Sequence, residues 1–179
     1  MVRARYFITA LLAAVALTSC NDKSLQKYLV EKQDDDKFLK VDIATSLLGG
    51  DGSNFTQEEK DILETIKKVN VVAYPIKDEN TADFKKERDA LRDILDQDQY
   101  KDLTRIKTKD WNASLKYLGE EDAINEVIVF ASDNSKGFAV FRLLGENMRP
   151  DQMIKLMESA ERGDLDLSKL SGIGDLFKD

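Results

Sequence analysis

The stretches NEVIVFAS (residues 125–132) and GFAVFRLL (137–144) constrain this chain most. Only Asp133, Asn134, Ser135 and Lys136 lie between them. Near-continuous apolar runs of eight residues, rich in Val, Ile and Phe, read as buried strands, and a turn-forming spacer between two of them reads as a hairpin. A hairpin alone is marginal in water. This pair therefore belongs at the centre of a larger sheet, and the rest of the chain can be read for what flanks and covers it.

Before the hairpin, SLQKYLVEKQ (24–33) has helical spacing, with Leu25, Tyr28 and Leu29 on one side and Ser24 as cap. The acidic run Asp34, Asp35 and Asp36 ends it, and FLKVDI (38–43) reads as a short strand. Thr56 followed three residues later by Glu59 is a capping box, predicting a helix over 57–68 with Ile62, Leu63, Ile66 and Val69 inward. VNVVAYP (69–75) is a β-branched strand closed by Pro75. Residues 81–98 form the clearest helix, with Phe84, Arg88, Leu91 and Leu95 on one face and Lys85–Asp89 and Arg92–Asp96 as i,i+4 pairs. Moderately amphipathic strands are expected over 103–109 and 113–118, around Trp111, and Pro150 opens a last helix that turns Met153, Ile154 and Met157 inward. The expected fold class is α+β: a single, largely antiparallel sheet with helices packed on one face.

The N-terminus points to an address. Arg3 and Arg5 precede an uncharged run over 6–17, too short to span a bilayer but right for a secretory leader. Leu17-Thr18-Ser19-Cys20 then places the only cysteine of the chain after an apolar residue and two small ones, the pattern of a bacterial lipobox. The division expected is a leader over 1–19, a lipid-anchored tether over 20–23, one α+β domain over 24–162 and an amphipathic tail over 163–179. The lipobox resemblance implies acyl chains on Cys20. Several chains hold firmly where one is marginal, since each buried methylene contributes about 0.8 kcal/mol. Asn21 rather than aspartate follows the cysteine, which selects the outer membrane, and NDKS is a poor acidic export tag, which selects its periplasmic face.

Composition narrows the chemistry. The chain has no histidine, so Ser-His-Asp and Cys-His mechanisms and His-based zinc sites are excluded. Its net charge is −7, and removal of the leader with its two arginines makes it more acidic. Such a surface disfavours nucleic acid, whose phosphates require a basic footprint.

A lipobox, a first helix like SLQKYLVEK, VNVVAYP ahead of a charged helix, two paired strands and a final PDQMIKLM helix occur here in one order. In that order the chain resembles small Bacteroidetes-type lipoproteins catalogued only as a domain of unknown function, over about residues 25–157. The resemblance implies no activity and no site residues.

Candidate sites are few. Asp51, Ser53 and Asn54, beside Glu58 and Glu59, offer oxygens at calcium-like spacing, but the EF-hand pattern is not met, and Glu58 and Glu59 also suit a helix N-terminus. Trp111 either anchors a partner or covers the edge of its own sheet. Gly172-Ile173-Gly174 follows no strand and lacks a third glycine, so it is no nucleotide loop. The reading reached is a non-enzymatic, lipid-anchored cell-envelope protein without cofactor. It meets the membrane through Cys20 and presents a globular interaction domain to other envelope proteins. The contrasting reading is a periplasmic carrier or sensor holding a small or apolar ligand between sheet and helices. In the tail, Leu167, Leu170, Ile173, Leu176 and Phe177 can share one side of a weak helix that needs a surface to complete it.

Overall fold

A computed structural model describes residues 23–45, 54–77, 80–109, 111–162 and 164. In chain order these residues form α1 (Leu25–Glu31), β1 (Leu39–Ala44), α2 (Gln57–Glu64), β2 (Ile66–Pro75), α3 (Thr81–Leu95), β3 (Lys101–Lys107), β4 (Trp111–Glu120), β5 (Ala123–Asp133), β6 (Gly137–Met148) and α4 (Pro150–Glu161). All six strands belong to one antiparallel sheet in the order β1-β2-β6-β5-β4-β3. The α+β class holds, and the apolar hairpin β5–β6 lies at its centre, as expected.

The Asp133 carboxylate organises the hairpin turn, accepting from the Ser135 and Lys136 backbone N–H groups at 2.7 and 2.9 Å. Gly137 then sits at φ +130°, and a Cβ there would meet the Tyr74 carbonyl oxygen at 2.1 Å, so only glycine lets β2 and β6 close at this end.

The helices divide between the two faces, which corrects the expectation that they share one. α2 and α4 pack with Val69, Val71, Leu115, Tyr117 and Val127. α1 and α3 pack with Val72, Tyr74, Ile128, Phe130 and Val140. Side chains alternate along a strand, so Val71 and Val72, or Val127 and Ile128, point to opposite sides. The reason lies in the apolar runs themselves: a strand without polar alternation has two faces to bury, and helices on one side would leave the other in water.

Helix ends follow their caps. Ser24 accepts from the Lys27 N–H at 3.2 Å, and Lys40 lays its ammonium on the carbonyls of Gln33 and Asp35, both at 2.9 Å, closing the chain after α1. α2 is shorter than the pattern suggested. Ile66 and Val69 belong to β2, which begins three residues early. The Thr65 hydroxyl bonds the Ile62 carbonyl at 2.7 Å, and the β-branched run beyond it pairs with β6. The two i,i+4 pairs expected on α3 do not form. Asp89 pairs with Arg88 at 2.9 Å, Asp96 faces Arg105 and Lys116 at 3.7 Å, and Arg92 lies over the Phe130 ring.

Candidate functional site

One side of the sheet receives the residues that lead into α1. The Tyr100 hydroxyl accepts from the Leu25 N–H at 2.9 Å, and the Gln97 amide donates to the Lys23 carbonyl at 2.9 Å. The chain thus enters the domain beside the C-terminal end of α3 and the first residue of β3. Cys20 lies outside the described residues, three positions before Lys23, a separation of at most about 11 Å.

The other end carries Trp111. β3 runs away from the tether for seven residues, about 24 Å, and Trp111 opens β4 just beyond the turn. Its backbone is locked to Thr108, whose N–H and hydroxyl reach the Trp111 carbonyl at 3.0 and 2.8 Å. The side chain is 39% exposed. A fixed backbone with an open indole suits a contact residue.

On each face a glutamate shielded from solvent joins the helix pair. Glu59, 2% exposed, accepts from the Thr56 N–H at 2.7 Å and the Thr56 hydroxyl at 2.8 Å, completing the expected capping box. It also accepts from the Ser159 hydroxyl and, at 3.0 Å, from Arg162, so the start of α2 is tied to the end of α4. The Ser159 bond, the Thr56 bonds and the Arg162 charge together hold its carboxyl down at about 2. On the opposite face Glu87 accepts from the Tyr28 hydroxyl at 3.0 Å and from Lys32 at 2.6 Å. Burial, then the Glu87 charge, pushes the Tyr28 phenol far up.

Two open grooves flank α1 and α3 on this second face. One, of about 550 Å³, lies beside α1 over Val72, Asn70 and Leu144. Its charges are committed: Arg142 makes two bonds to Glu126 at 2.8 and 2.7 Å, and Lys68 meets Asp42 at 3.0 Å. The other, of about 380 Å³, lies between α3 and the β3–β4 hairpin. There Lys116, 4% exposed, reaches Asp102 at 2.9 Å. Burial pushes the Asp102 carboxyl up, but the bonds from Lys116 and Arg105 outweigh it and hold it below its ordinary value.

The calcium candidates do not assemble into a site among the described residues. Asp51 and Ser53 lie outside them. Asn54 is exposed and spends its N–H on the Asp164 carbonyl at 3.2 Å. Glu58 turns to Lys155, and Glu59 is the cap just described. Among the described residues no three His, Cys, Asp or Glu side chains gather as metal ligands. Asp35 serves its own turn, accepting from the Lys37 N–H at 3.0 Å. Buried polar groups that the sequence did not announce are Lys116, Glu126, Ser132 and Ser159. Lys116 and Glu126 take their partners, Asp102 and Arg142, from the neighbouring strand, whereas Ser159 takes Glu59 from a helix a hundred residues away.

A six-stranded antiparallel sheet with a helix pair on each side defines a small α+β module. The family model of the Domain of unknown function (DUF4252) matches residues 28–156, and the chain belongs to that family. No curated protein and no solved structure matches it.

Proposed function

We propose that this is a non-enzymatic, lipid-anchored protein of the cell envelope whose domain holds its contact surface away from the membrane. The observation that carries this is the polarity of the sheet: the tether enters at Tyr100 and Gln97, and the exposed Trp111 lies at the far end of β3. With acyl chains on Cys20, the tether keeps the first end close to the lipid headgroups and turns the Trp111 end toward other envelope proteins.

The carrier reading has less support. A ligand-binding α+β domain would be expected to line a cavity with its aromatic residues. Here Phe38, Tyr74, Phe84, Phe130 and Phe138 pack on one another at centroid separations of 5.0 to 6.4 Å. These rings fill their layer.

Two measurements test the proposal. Fatty-acid labelling should mark the wild type and not Cys20→Ala, whose precursor should accumulate; equal labelling of both would overturn the anchor. A photocrosslinker replacing Trp111 should capture one defined envelope protein, whereas the same group at Lys86, on the exposed side of α3, should not. Equal capture at both positions would overturn the contact surface.

A further inference from the structure

The two grooves on the α1/α3 face differ in what their charges do. Beside α1 each lining cation has its acceptor: Arg142 has Glu126, Lys68 has Asp42, and Lys40 has the carbonyls that follow α1. The groove between α3 and the β3–β4 hairpin is different. Its cations are Arg92, Arg105, Lys107 and Lys116, and Asp96 is the carboxylate among its lining residues. Arg105 and Lys116 reach Asp102 at 2.8 and 2.9 Å, and both stand 3.7 Å from Asp96. Those two cations and two carboxylates balance. Arg92 and Lys107 are left over, and neither has a hydrogen-bond or ion-pair partner among the described residues.

Strand register explains how these groups meet. Arg105 stands opposite Ser114 and Lys107 opposite Asn112, while Ser114 stands opposite Phe130. Alternate side chains of β3 and β4 therefore share the face that α3 covers. Arg92 reaches that face from α3, its guanidinium carbon 5.9 Å from the centre of the Phe130 ring, a cation–π contact that holds it over the groove. Burial, then the charge of Arg88, pulls the Arg92 guanidinium below its ordinary value. The Ser114 hydroxyl and the Asn112 amide line the same groove and make no hydrogen bond with the described residues. A chain of net charge −7 thus gathers two uncommitted cations and two neutral donors around about 380 Å³.

We propose that this groove binds a phosphate monoester, with Arg92 and Lys107 meeting the phosphate and Ser114 and Asn112 completing its shell. Charge selects the ligand class. A phosphate monoester carries about −1.5 to −2 at pH 7, which answers both free cations, whereas a carboxylate would leave one unanswered. Three phosphate oxygens also suit a guanidinium fork together with an ammonium, where a carboxylate offers only two. The volume admits the phosphate and a small attached group. The proposal needs no cavity in the aromatic layer. It is independent of Cys20 and of Trp111, which alternation along β4 turns to the opposite face.

The mature chain carrying Cys20→Ser tests it, since that chain keeps every described residue and has no acyl chains. Titration with glycerol 3-phosphate, followed by calorimetry, should saturate at a single site per chain. Arg92→Gln should weaken binding by about tenfold or more, the loss expected when a charged hydrogen-bonded pair is removed. Lys107→Gln, at an exposed strand position, should weaken it too, and it reports on the groove even if Arg92→Gln costs stability. Lys86→Gln, on the exposed side of α3, should bind as the parent chain does. Acetate should bind more weakly than the ester. Vesicles of phosphatidylcholine containing phosphatidic acid separate the two sources of such a phosphate. Arg92-dependent flotation above that with phosphatidylcholine alone would assign it to a lipid headgroup, and glycerol 3-phosphate binding without flotation would assign it to a soluble ester. Absence of both saturable binding and Arg92-dependent flotation would overturn the proposal. So would equal binding by Arg92→Gln, Lys107→Gln and Lys86→Gln, or acetate binding as tight as that of the ester.

Discussion

The two faces of the sheet are built on different terms. The α1/α3 face is aromatic: Phe138 touches Phe38, Tyr74, Phe84 and Phe130, and the rings interlock along the sheet toward its hairpin-turn end. The α2/α4 face is mainly aliphatic, with Phe55, Tyr117 and Phe141 spaced among Val, Ile, Leu and Met, and past Val71 its floor falls to alanine. Each helix pair is fastened by glutamate: Glu87 to Tyr28 and Lys32 on one face, Glu59 to Ser159 and Arg162 and Glu58 to Lys155 on the other. The fastening is alike but the coverage is not. On the aromatic face, large side chains fill the height that the helices leave. On the other face the floor is low, and Ala73 and Ala139 are nonetheless 0% and 1% exposed. Side-chain size thus sets how close the cover must come to each face of the sheet.

The sharpest way to break the comparison is to remove the ring at the centre of the aromatic face. Phe138→Ala deletes a side chain 2% exposed and removes the ring that Phe38, Tyr74, Phe84 and Phe130 all touch. It should destabilise the domain by about 3–5 kcal/mol, read by urea denaturation. A loss below about 1 kcal/mol would show that the rings repack and that this face is looser than its geometry indicates.

The matching change on the other face is Ala139→Leu, which raises the floor instead of removing it. Ala139 is 1% exposed, so the added methylenes should cost about 1–3 kcal/mol by overpacking, read by urea denaturation. A cost below about 0.5 kcal/mol would show that this face has room above its alanines.

Much of this contrast was legible in the sequence, and the part that was not has a physical cause. The apolar hairpin, the capping box and the helix at Pro150 all stand where their patterns put them, because each rests on contacts within a few residues. The end of α2 did not: Ile62, Leu63, Ile66 and Val69 satisfy a helical stripe, and only pairing with β6 decides that the last two belong to a strand. The placement of helices on two faces was present in the unbroken apolar runs 125–132 and 137–144. It was obscured by the polar alternation of β3 and β1, edge strands that need less cover. The Glu59 network was half visible. Thr56 and Glu59 announce a cap, but Ser159 and Arg162 are about a hundred residues away, and no local pattern links them.

That network gives the third test, a pH dependence that Glu59 adds on the α2/α4 face. Glu59 titrates at about 2 in the folded domain against an ordinary value of 4.5. A carboxylate whose folded value is depressed stabilises the fold fully above its unfolded value and loses that contribution as pH falls through the folded one. Glu59→Gln should therefore be less stable than wild type at pH 7, with the gap narrowing from about pH 4.5 down to 2, followed by thermal melts across that window. A gap independent of pH would mean that Glu59 acts by shape and neutral hydrogen bonding alone.

The smallest effect belongs to Trp111, and its smallness is informative. The indole is 39% exposed, and its backbone bonds to Thr108 and its pairing with Asp133 use main-chain atoms that any residue supplies. Trp111→Ser removes the ring and keeps the hairpin. Surface substitutions without a buried partner stay within about 0.5 kcal/mol, so stability should hardly change. What should change is capture of the proposed envelope partner, because an exposed aromatic contributes most where a second surface desolvates it. A loss of stability beyond 1–2 kcal/mol with capture intact would make Trp111 a cover for its own sheet edge. It would also move the contact surface away from the end opposite the tether.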